Sequence, residues 1–301
     1  MPLTPVEWRA GRWYKRDDAY RGLGGVNGGK WRQCRWLIGE AQARGATRVV
    51  SGASVLSPQL PMTATAAAEL GMDCTLVIGG TTPEDAAAHH PGVRIAAEQG
   101  AEFVTVPVGY NPALQAQVAR LVAADPGAYQ LRYGVTIDPA APFDELAAFH
   151  GLGAAQVENL PPDVHELIVP FGSGNSAASV LLGLAQGRAP QVQLVRLVGI
   201  GPDKRPYLED RLERLGAPVD VNLVHHDLHG QGLVSYHHGV PYTSDGVVLH
   251  PTYEGKVASW LDGSEASWRW THRDGTACLW VVGGPLGPVP EEWVPDLAGL
   301  A

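Results

Sequence analysis

Apolar and polar positions follow two rhythms along this chain, and the change from one to the other marks the predicted elements. Short, continuous apolar runs predict buried strands, whereas apolar residues spaced roughly three to four apart predict helices. The predicted strands are residues 47–51, 74–78, 102–106, 166–170, 191–200 and 277–282. The predicted helices are residues 63–70, 93–99, 112–124, 176–186 and 207–215.

Strands that alternate with helices in this way predict βαβ units and a mainly parallel sheet. Segments rich in proline and glycine at residues 138–142 and 160–163 are where we expect the chain to cross between lobes. The pattern therefore predicts a two-lobed α/β protein with doubly wound, mainly parallel sheets.

Composition narrows the class of protein. The chain has 301 residues, of which 45% are hydrophobic, and its net charge is −9. This acidic balance disfavours nucleic acids and anionic membranes as partners, because their phosphates would be repelled. A local basic cluster is interrupted by acidic residues, and we interpret it as a solvated face. Its members are Arg9, Arg12, Lys15, Arg16 and Arg21.

The cysteines and the apolar segments bear on the cellular compartment. Cys34, Cys74 and Cys278 lie far apart and form no C-x-x-C pair, so we expect neither a disulfide framework nor a zinc site. The N-terminus lacks the apolar core of a signal peptide, and no run approaches the roughly 18–20 apolar residues of a membrane span. These features predict a cytoplasmic protein.

A glycine-rich segment, residues 24–32, carries Lys30 just before a predicted amphipathic helix. A lysine beside an apolar helix start can be desolvated and become nucleophilic as the neutral amine, which is what a Schiff-base lysine needs. Only four lysines occur in the chain, so there are few candidates for a Schiff-base lysine. The segment also matches the phosphate loop of nucleotide hydrolases, except that Trp31 stands where that loop requires Ser or Thr.

A second glycine-rich loop follows a predicted strand and opens a predicted helix. Its backbone N–H groups and the helix dipole make it a candidate phosphate cradle. It also fits the dinucleotide fingerprint, but no acidic residue ends the next predicted strand to bind a ribose hydroxyl. We therefore expect it to bind a single phosphate. The loop residues are Gly172, Ser173, Gly174, Asn175 and Ser176.

A Schiff-base lysine and a phosphate cradle are together what pyridoxal 5′-phosphate requires. The third requirement is a group at the pyridine nitrogen. Glu254, in the segment Tyr253-Glu254-Gly255-Lys256, offers a carboxylate that would favour the protonated ring. The alternative for Glu254 is a first-turn carboxylate that interacts with a helix dipole, and the alternative for Tyr253 is a packing aromatic.

An ordered set of motifs resembles the fold type II pyridoxal-phosphate enzymes of the tryptophan synthase beta-like superfamily. It is most similar to the branch of 1-aminocyclopropane-1-carboxylate deaminase and D-cysteine desulfhydrase. The resemblance covers nearly the whole chain. The matching segments are residues 15–18 (KRDD), 24–32 (GGVNGGKWR), 45–52 (GATRVVSG), 57–59 (SPQ), 172–176 (GSGNS), 253–256 (YEGK) and 281–284 (VVGG).

The resemblance implies roles for these residues. Lys30 would hold the cofactor and move a proton, residues 172–176 would bind its phosphate, and Glu254 would lie near the pyridine nitrogen. Tyr253 would be a catalytic acid or base, and Ser57 would be both catalytic and substrate-binding. The remaining substrate contact would be Gln59.

The resemblance also implies an organisation and a reaction. Residues 33–144 would form a small lobe, and residues 1–32 with 145–301 would form a large cofactor-binding lobe, with the cofactor between them. The expected reaction on a small amino acid is elimination or ring opening, which gives ammonia and a 2-oxo acid. Alternatives are β-replacement or, because Pro58 replaces the family's asparagine, a non-catalytic cofactor-binding homologue. A homodimer is expected.

A histidine-rich region offers one further alternative. His225 and His229 have the spacing of two metal ligands on one helix face. Nearby glycines and the lack of a matching carboxylate pattern favour a polar loop near the cofactor instead, and we predict no metal site. The other histidines of the region are His226, His237, His238 and His250.

Overall fold

The structure is a computed structural model of one chain, and it describes residues 2–218, 220–235, 238–263 and 276–286. The strands in chain order are β1 (Val6–Arg9), β2 (Arg12–Arg16), β3 (Arg48–Gly52), β4 (Asp73–Gly79), β5 (Glu102–Val106), β6 (Ala128–Gln130), β7 (Glu166–Phe171), β8 (Leu194–Gly199), β9 (Asn222–Asp227), β10 (Tyr242–Ser244), β11 (Val247–Leu249) and β12 (Ala277–Val281). The helices are α1 (Gly29–Ala43), α2 (Gln59–Leu70), α3 (Pro83–His89), α4 (Pro91–Glu98), α5 (Asn111–Ala124), α6 (Phe143–Ala154), α7 (Asn175–Ala185), α8 (Arg205–Arg214) and α9 (Glu254–Gly263).

The chain divides into two compact units, which are Met1–Tyr20 with Pro142–Ala301 and Arg21–Ala141. The sequence predicted a small lobe of residues 33–144, whereas the second unit begins earlier, so that it includes Lys30 and its glycine-rich segment. Packing of this segment on the second unit explains the earlier start. A Cβ added to Gly24 would lie 2.7 Å from Cγ2 of Ile95, on α4 of the same unit.

The first unit contains a six-stranded sheet in the order β1-β2-β12-β7-β8-β9, together with the hairpin β10-β11. All neighbouring strands from β2 to β9 are parallel, and only β1 is antiparallel to its neighbour. Successive residues of β7 enter different apolar clusters, with Ile168 in one and Val169 in the other. Both faces of the sheet are therefore covered, which explains the continuous apolar runs of its strands.

The second unit contains a four-stranded parallel sheet in the order β5-β4-β3-β6. Helix α5 packs on it through Leu114 and Val118, which contact Val50 and Val77 in one buried cluster. The alanine-rich α2 is buried over most of its length and ends at Gly71, whose φ of 66° is the left-handed conformation that favours glycine.

The structure confirms the predicted α/β class with mainly parallel sheets, and every strand and helix predicted from the sequence overlaps an observed one. Sequence patterns missed the charged strand β2, the strands β1, β6, β9, β10 and β11, and the helices α3 and α6. Across the described residues, no helix has both the length and the apolar character needed to cross a bilayer.

The prediction that the N-terminal basic cluster is a solvated face is wrong for Lys15 and Arg16. The Lys15 side chain is fully buried, and its ammonium donates to the backbone oxygen of Thr4 at 2.8 Å and to Oδ1 of Asn159 at 2.6 Å. Arg16 pairs with Asp18 at 2.7 Å. Because β2 lies between β1 and β12, its residues point into packed layers where polar partners compensate the charge.

Candidate active site

Lys30 is the second residue of α1, and the helix begins after Gly28, whose φ is 94°. Only glycine adopts this conformation readily, so the glycines before the lysine set the direction in which the helix starts. Burial lowers the pKa of Lys30 to about 8, and the nearby Cys34 opposes the shift. At pH 7 the neutral fraction of this amine is therefore about one tenth, far more than for a lysine of ordinary pKa, and the neutral amine is the form that acts as a nucleophile.

Gln59 lies at the start of α2 and is almost completely buried. Its Nε2 donates to Oγ of Ser51 at 2.8 Å and to the backbone oxygen of Arg132 at 3.1 Å. Its Oε1 accepts the N–H of Gly134 at 2.8 Å. Because both amide hydrogens are donated within the protein, this side chain ties α2 to β3 and to the loop after β6 and has no N–H left for a substrate.

Ser57 precedes the same helix and is partly exposed. Its Oγ accepts the backbone N–H of Gln59 at 3.3 Å. The hydroxyl hydrogen is not consumed by this bond, so Ser57 retains a donor for a ligand. Of the two residues predicted to contact substrate, Ser57 therefore keeps this capacity and Gln59 does not.

The second glycine-rich loop follows β7 and leads into α7. Gly174 precedes the helix with φ 86°, and Gly172, Ser173 and Ser176 remain partly exposed. The first turn of α7 supplies backbone N–H groups and the positive end of the helix dipole. This is the geometry of a phosphate cradle.

Tyr207 on α8 is a contact of this loop that sequence reasoning missed. Its hydroxyl donates to Oδ1 of the buried Asn175 at 2.5 Å. A Cβ added to Gly174 would lie 2.8 Å from Cδ1 of Tyr207, so a larger residue would displace this ring. The guanidinium carbon of Arg211 lies 4.8 Å from the centre of the same ring. In the sequence, the four-residue spacing of Tyr207 and Arg211 indicates that they share a helix face. It does not indicate that the Tyr207 hydroxyl binds Asn175.

Glu254 is the first residue of α9 and is fully buried. Its Oε1 accepts the backbone N–H of Gly283 at 3.1 Å, whereas Oε2 is buried and has no hydrogen-bond partner among the described residues. Burial raises the pKa of Glu254 to about 8, and Asp18 raises it further, against backbone N–H groups that lower it. A buried carboxyl with an open oxygen fits a basic ring nitrogen, since it can share its proton with that nitrogen.

Tyr253 precedes Glu254 in the chain and lies close to the glycine-rich loop of residues 172–176. A Cβ added to Gly172 would lie 3.8 Å from Cε1 of Tyr253, and the His250 ring lies 4.9 Å from the Tyr253 ring. Since β7 and β12 are parallel neighbours, the loop after β7 and Gly283 after β12 lie at the same edge of the sheet. The first unit therefore brings the glycine-rich loop of residues 172–176, Tyr253 and Glu254 close together. Lys30, Ser57 and Gln59 belong to the second unit.

The helical spacing considered for His225 and His229 does not exist, because His225 lies on β9. Its ring packs edge-on against Phe171, with centroids 5.5 Å apart. Within the part of the chain that the structure describes, no three His, Cys, Asp or Glu side chains could hold a metal ion together. His237 lies outside the described residues.

Comparison with known proteins identifies the family. The family described as "Pyridoxal-phosphate dependent enzyme" matches residues 9–246. The "O-seryl-dTMP PLP-dependent decarboxylase" of Salmonella phage ViI is 33% identical over 83% of this chain and 73% of the relative. A 1-aminocyclopropane-1-carboxylate deaminase of Bradyrhizobium sp. (strain BTAi1 / ATCC BAA-1182) is 26% identical over 80% of this chain and 77% of the relative.

Solved structures agree on the fold. A crystal structure described as an ACC deaminase homologue superposes with a TM-score of 0.71 at 21% identity, over 95% of this chain and 91% of that one. The processed form of threonine deaminase isoform 2 from Solanum lycopersicum gives 0.64 at 16% identity, over 98% and 88%. These matches show that the chain has the fold type II architecture, a mixed α/β fold with mainly parallel sheets. This chain belongs to the family of pyridoxal-phosphate dependent enzymes.

Proposed function

We propose that this protein is a pyridoxal-phosphate-dependent lyase that releases the carboxyl group of an amino-acid substrate as carbon dioxide. The observation that carries the proposal is the fully buried Glu254, whose Oε2 has no partner among the described residues and can, as a carboxylate, accept the N–H of a protonated ring nitrogen. When bound, the cofactor supplies an electron sink for the pair left at the substrate α-carbon. Such a sink is strongest with a protonated ring, and it serves decarboxylation and deamination alike.

The remaining roles follow from the chain's own groups. Lys30, with its lowered pKa, is suited to hold the cofactor and then to return a proton to the α-carbon. Gly172, Ser173 and Ser176 present the start of α7 to the phosphate. Tyr253, beside Gly172, is suited to act as a second acid or base.

The choice of decarboxylation is supported by the phage relative, whose name gives this reaction and a seryl group on dTMP. The experiment below therefore includes a substrate larger than a free amino acid. A second candidate is the deaminase or elimination reaction predicted from the sequence, which gives ammonia and a 2-oxo acid. The segment Tyr253-Glu254-Gly255-Lys256 and the deaminase relatives favour it.

The test is product analysis. Holoenzyme is incubated with O-seryl-dTMP, serine, 1-aminocyclopropane-1-carboxylate and D-cysteine, and carbon dioxide, ammonia and sulfide are measured. We expect carbon dioxide without ammonia, and no product from Lys30→Arg, which keeps the positive charge but lacks a nucleophilic amine. Ammonia with a 2-oxo acid would support the second candidate. No product from any substrate, with cofactor bound at Lys30, would support a non-catalytic homologue.

The proposal keeps three expectations from the sequence. The enzyme is cytoplasmic, it forms a homodimer, and it binds neither nucleic-acid polymers nor membranes. Sedimentation of the holoenzyme across a concentration series tests the homodimer. Retention on DNA or on anionic vesicles would contradict the expected absence of these partners.

A further inference from the structure

A buried positive charge lies behind the glycine-rich loop of residues 172–176. Arg211 on α8 is only 2% exposed, and its guanidinium carbon lies 4.8 Å from the centre of the Tyr207 ring. The same tyrosine contacts the loop. A Cβ added to Gly174 would lie 2.8 Å from Cδ1 of Tyr207, and the Tyr207 hydroxyl donates to Oδ1 of Asn175 at 2.5 Å. One aromatic ring therefore separates the guanidinium from the loop and from the start of α7.

Within the part of the chain that the structure describes, this charge is only partly compensated. Nε and Nη1 of Arg211 are buried and make no hydrogen bond. Oδ2 of Asp210 lies 3.6 Å from Nη1, beyond hydrogen-bond distance, and the Asp210 side chain is 56% exposed, so water screens its attraction. The Tyr207 ring adds the weaker attraction between a cation and an aromatic face.

The helices beside α8 do not supply the missing negative charge. Helix α7 contains no charged residue. On α6, the fully buried His150 has its Nδ1 3.1 Å from Oγ of Ser179 on α7. Burial and the nearby Arg211 lower the pKa of His150 to about 3, so this histidine is neutral near pH 7. His150 therefore neither compensates the charge of Arg211 nor adds a second positive charge.

An anion on the loop would supply that negative charge. A guanidinium keeps its charge when it is buried, and a buried charge without a partner is unfavourable. The start of α7 adds the positive end of its helix dipole on the same side of the Tyr207 ring as the loop. Both positive fields therefore attract an anion to the loop, and a group with two negative charges gains twice as much as a group with one.

We propose that Arg211 is a positioning residue whose buried positive charge holds the phosphate of the cofactor, as a dianion, on the loop of residues 172–176. The inference rests on one part of the proposed function, the binding of the cofactor's phosphate by this loop, and it does not depend on the reaction. Arg211 acts across the Tyr207 ring, which distinguishes it from the N–H groups of the loop.

The experiment measures the charge of the bound phosphate. Phosphorus NMR follows this group against pH in holoenzymes of the native chain, Arg211→Met and Arg211→Lys. The methionine removes the charge and keeps an apolar chain, whereas the lysine keeps the charge. In Arg211→Met, we expect the phosphate to take up its proton at a pH about one unit higher than in the native chain. Arg211→Lys should stay close to the native chain.

Arg188→Met is the matched control for net charge. Arg188 is exposed and follows the other end of α7, so the same charge is lost far from the loop. We expect its phosphate to titrate as in the native chain. A shift as large as that of Arg211→Met would overturn the proposal, because it would show that net charge alone decides the titration.

Two further measurements separate the charge from packing. Arg211→Met should bind pyridoxal phosphate about tenfold more weakly, as one pH unit of phosphate titration implies, and should bind pyridoxal as the native chain does. In urea unfolding, the cofactor-free variant should be at least as stable as the native chain, because it no longer buries a charge without a full partner. A merely structural residue would give equal losses for both ligands and a lower stability.

Three results would overturn the proposal. One is a folded Arg211→Met whose phosphate titration and preference for pyridoxal phosphate over pyridoxal match the native chain. The second is an Arg211→Lys that behaves like Arg211→Met, and the third is an equal loss for both ligands. In these cases the proposed function stands. If the native chain itself binds pyridoxal phosphate no better than pyridoxal, the phosphate role of the loop fails, and the inference fails with it.

Discussion

The hydroxyl of Tyr207 donates to Oδ1 of Asn175 at 2.5 Å. This bond joins α8 to the first residue of α7, the helix that the glycine-rich loop of residues 172–176 leads into. The ring of Tyr207 also lies against Gly174. The hydrogen bond fixes the orientation of the Asn175 side-chain amide, because its oxygen Oδ1 accepts the Tyr207 hydroxyl. Without this bond, Tyr207 would no longer hold the Asn175 oxygen, which carries a partial negative charge, away from a bound phosphate.

Tyr207→Phe is therefore expected to weaken binding of pyridoxal phosphate by about three- to tenfold, the worth of one hydrogen bond of about 1 kcal/mol. Binding of pyridoxal, which has no phosphate, should not change. Absorption titrations with the two ligands measure this difference. Tyr110→Phe is the control, because Tyr110 is 76% exposed and belongs to the other unit. Equal losses for both ligands would show a general structural effect instead.

The pKa of Lys30 predicts how fast the covalent link to the cofactor forms. Because the neutral amine is the nucleophile and its pKa is lowered to about 8, the rate should rise about tenfold per pH unit below pH 8 and then level off. Stopped-flow absorption with cofactor-free protein measures it, and borohydride reduction followed by peptide mapping locates the link. Labelling at another lysine, or a rate that keeps rising to pH 10, would contradict the prediction.

Glu254 predicts a pH dependence of stability in the cofactor-free protein. Its pKa is raised from 4.5 to about 8, so between these values the unfolded chain has lost a proton that the folded chain retains. The contribution of Glu254 to the free energy of unfolding is fully present below pH 4.5. It is lost as the pH rises towards 8, by at most about 1.4 kcal/mol per pH unit.

Glu254→Gln should remove this slope. Urea unfolding is expected to show the variant gaining stability relative to the native chain as the pH rises from 5 to 8, whereas Glu213→Gln at an exposed position should follow the native chain. The opposite trend, with the native chain gaining on the variant, would mean that Glu254 is charged and stabilised in the folded protein.

Buried Lys15 predicts a purely structural effect. Lys15→Met keeps most of the apolar stem but removes the donor to Asn159 and Thr4, and leaving a buried acceptor unsatisfied costs about 1–3 kcal/mol. Urea unfolding should show this loss, whereas Arg94→Met at an exposed position should change little. Unchanged stability would indicate that the packed thioether compensates for the lost hydrogen bonds.

Gln59 illustrates what a sequence motif can predict and what it cannot. The pattern Ser57-Pro58-Gln59 marked a segment at the start of a helix, and the structure has a helix beginning there. It could not show that the Gln59 amide is consumed by Ser51, Arg132 and Gly134. Two of these partners lie more than seventy residues away in the chain, so no local pattern contains them.

By itself, the sequence determined the alternation of strands and helices, the two glycine-rich loops and the family, because these depend on local periodicity, backbone freedom and motif order. The tertiary structure decided which charged groups lose their water. It buried Lys15, left Oε2 of Glu254 without a hydrogen-bond partner among the described residues and placed Tyr207 against Gly174. Burial, hydrogen bonding and pKa depend on contacts between residues far apart in the chain, and these contacts exist only after the chain has folded.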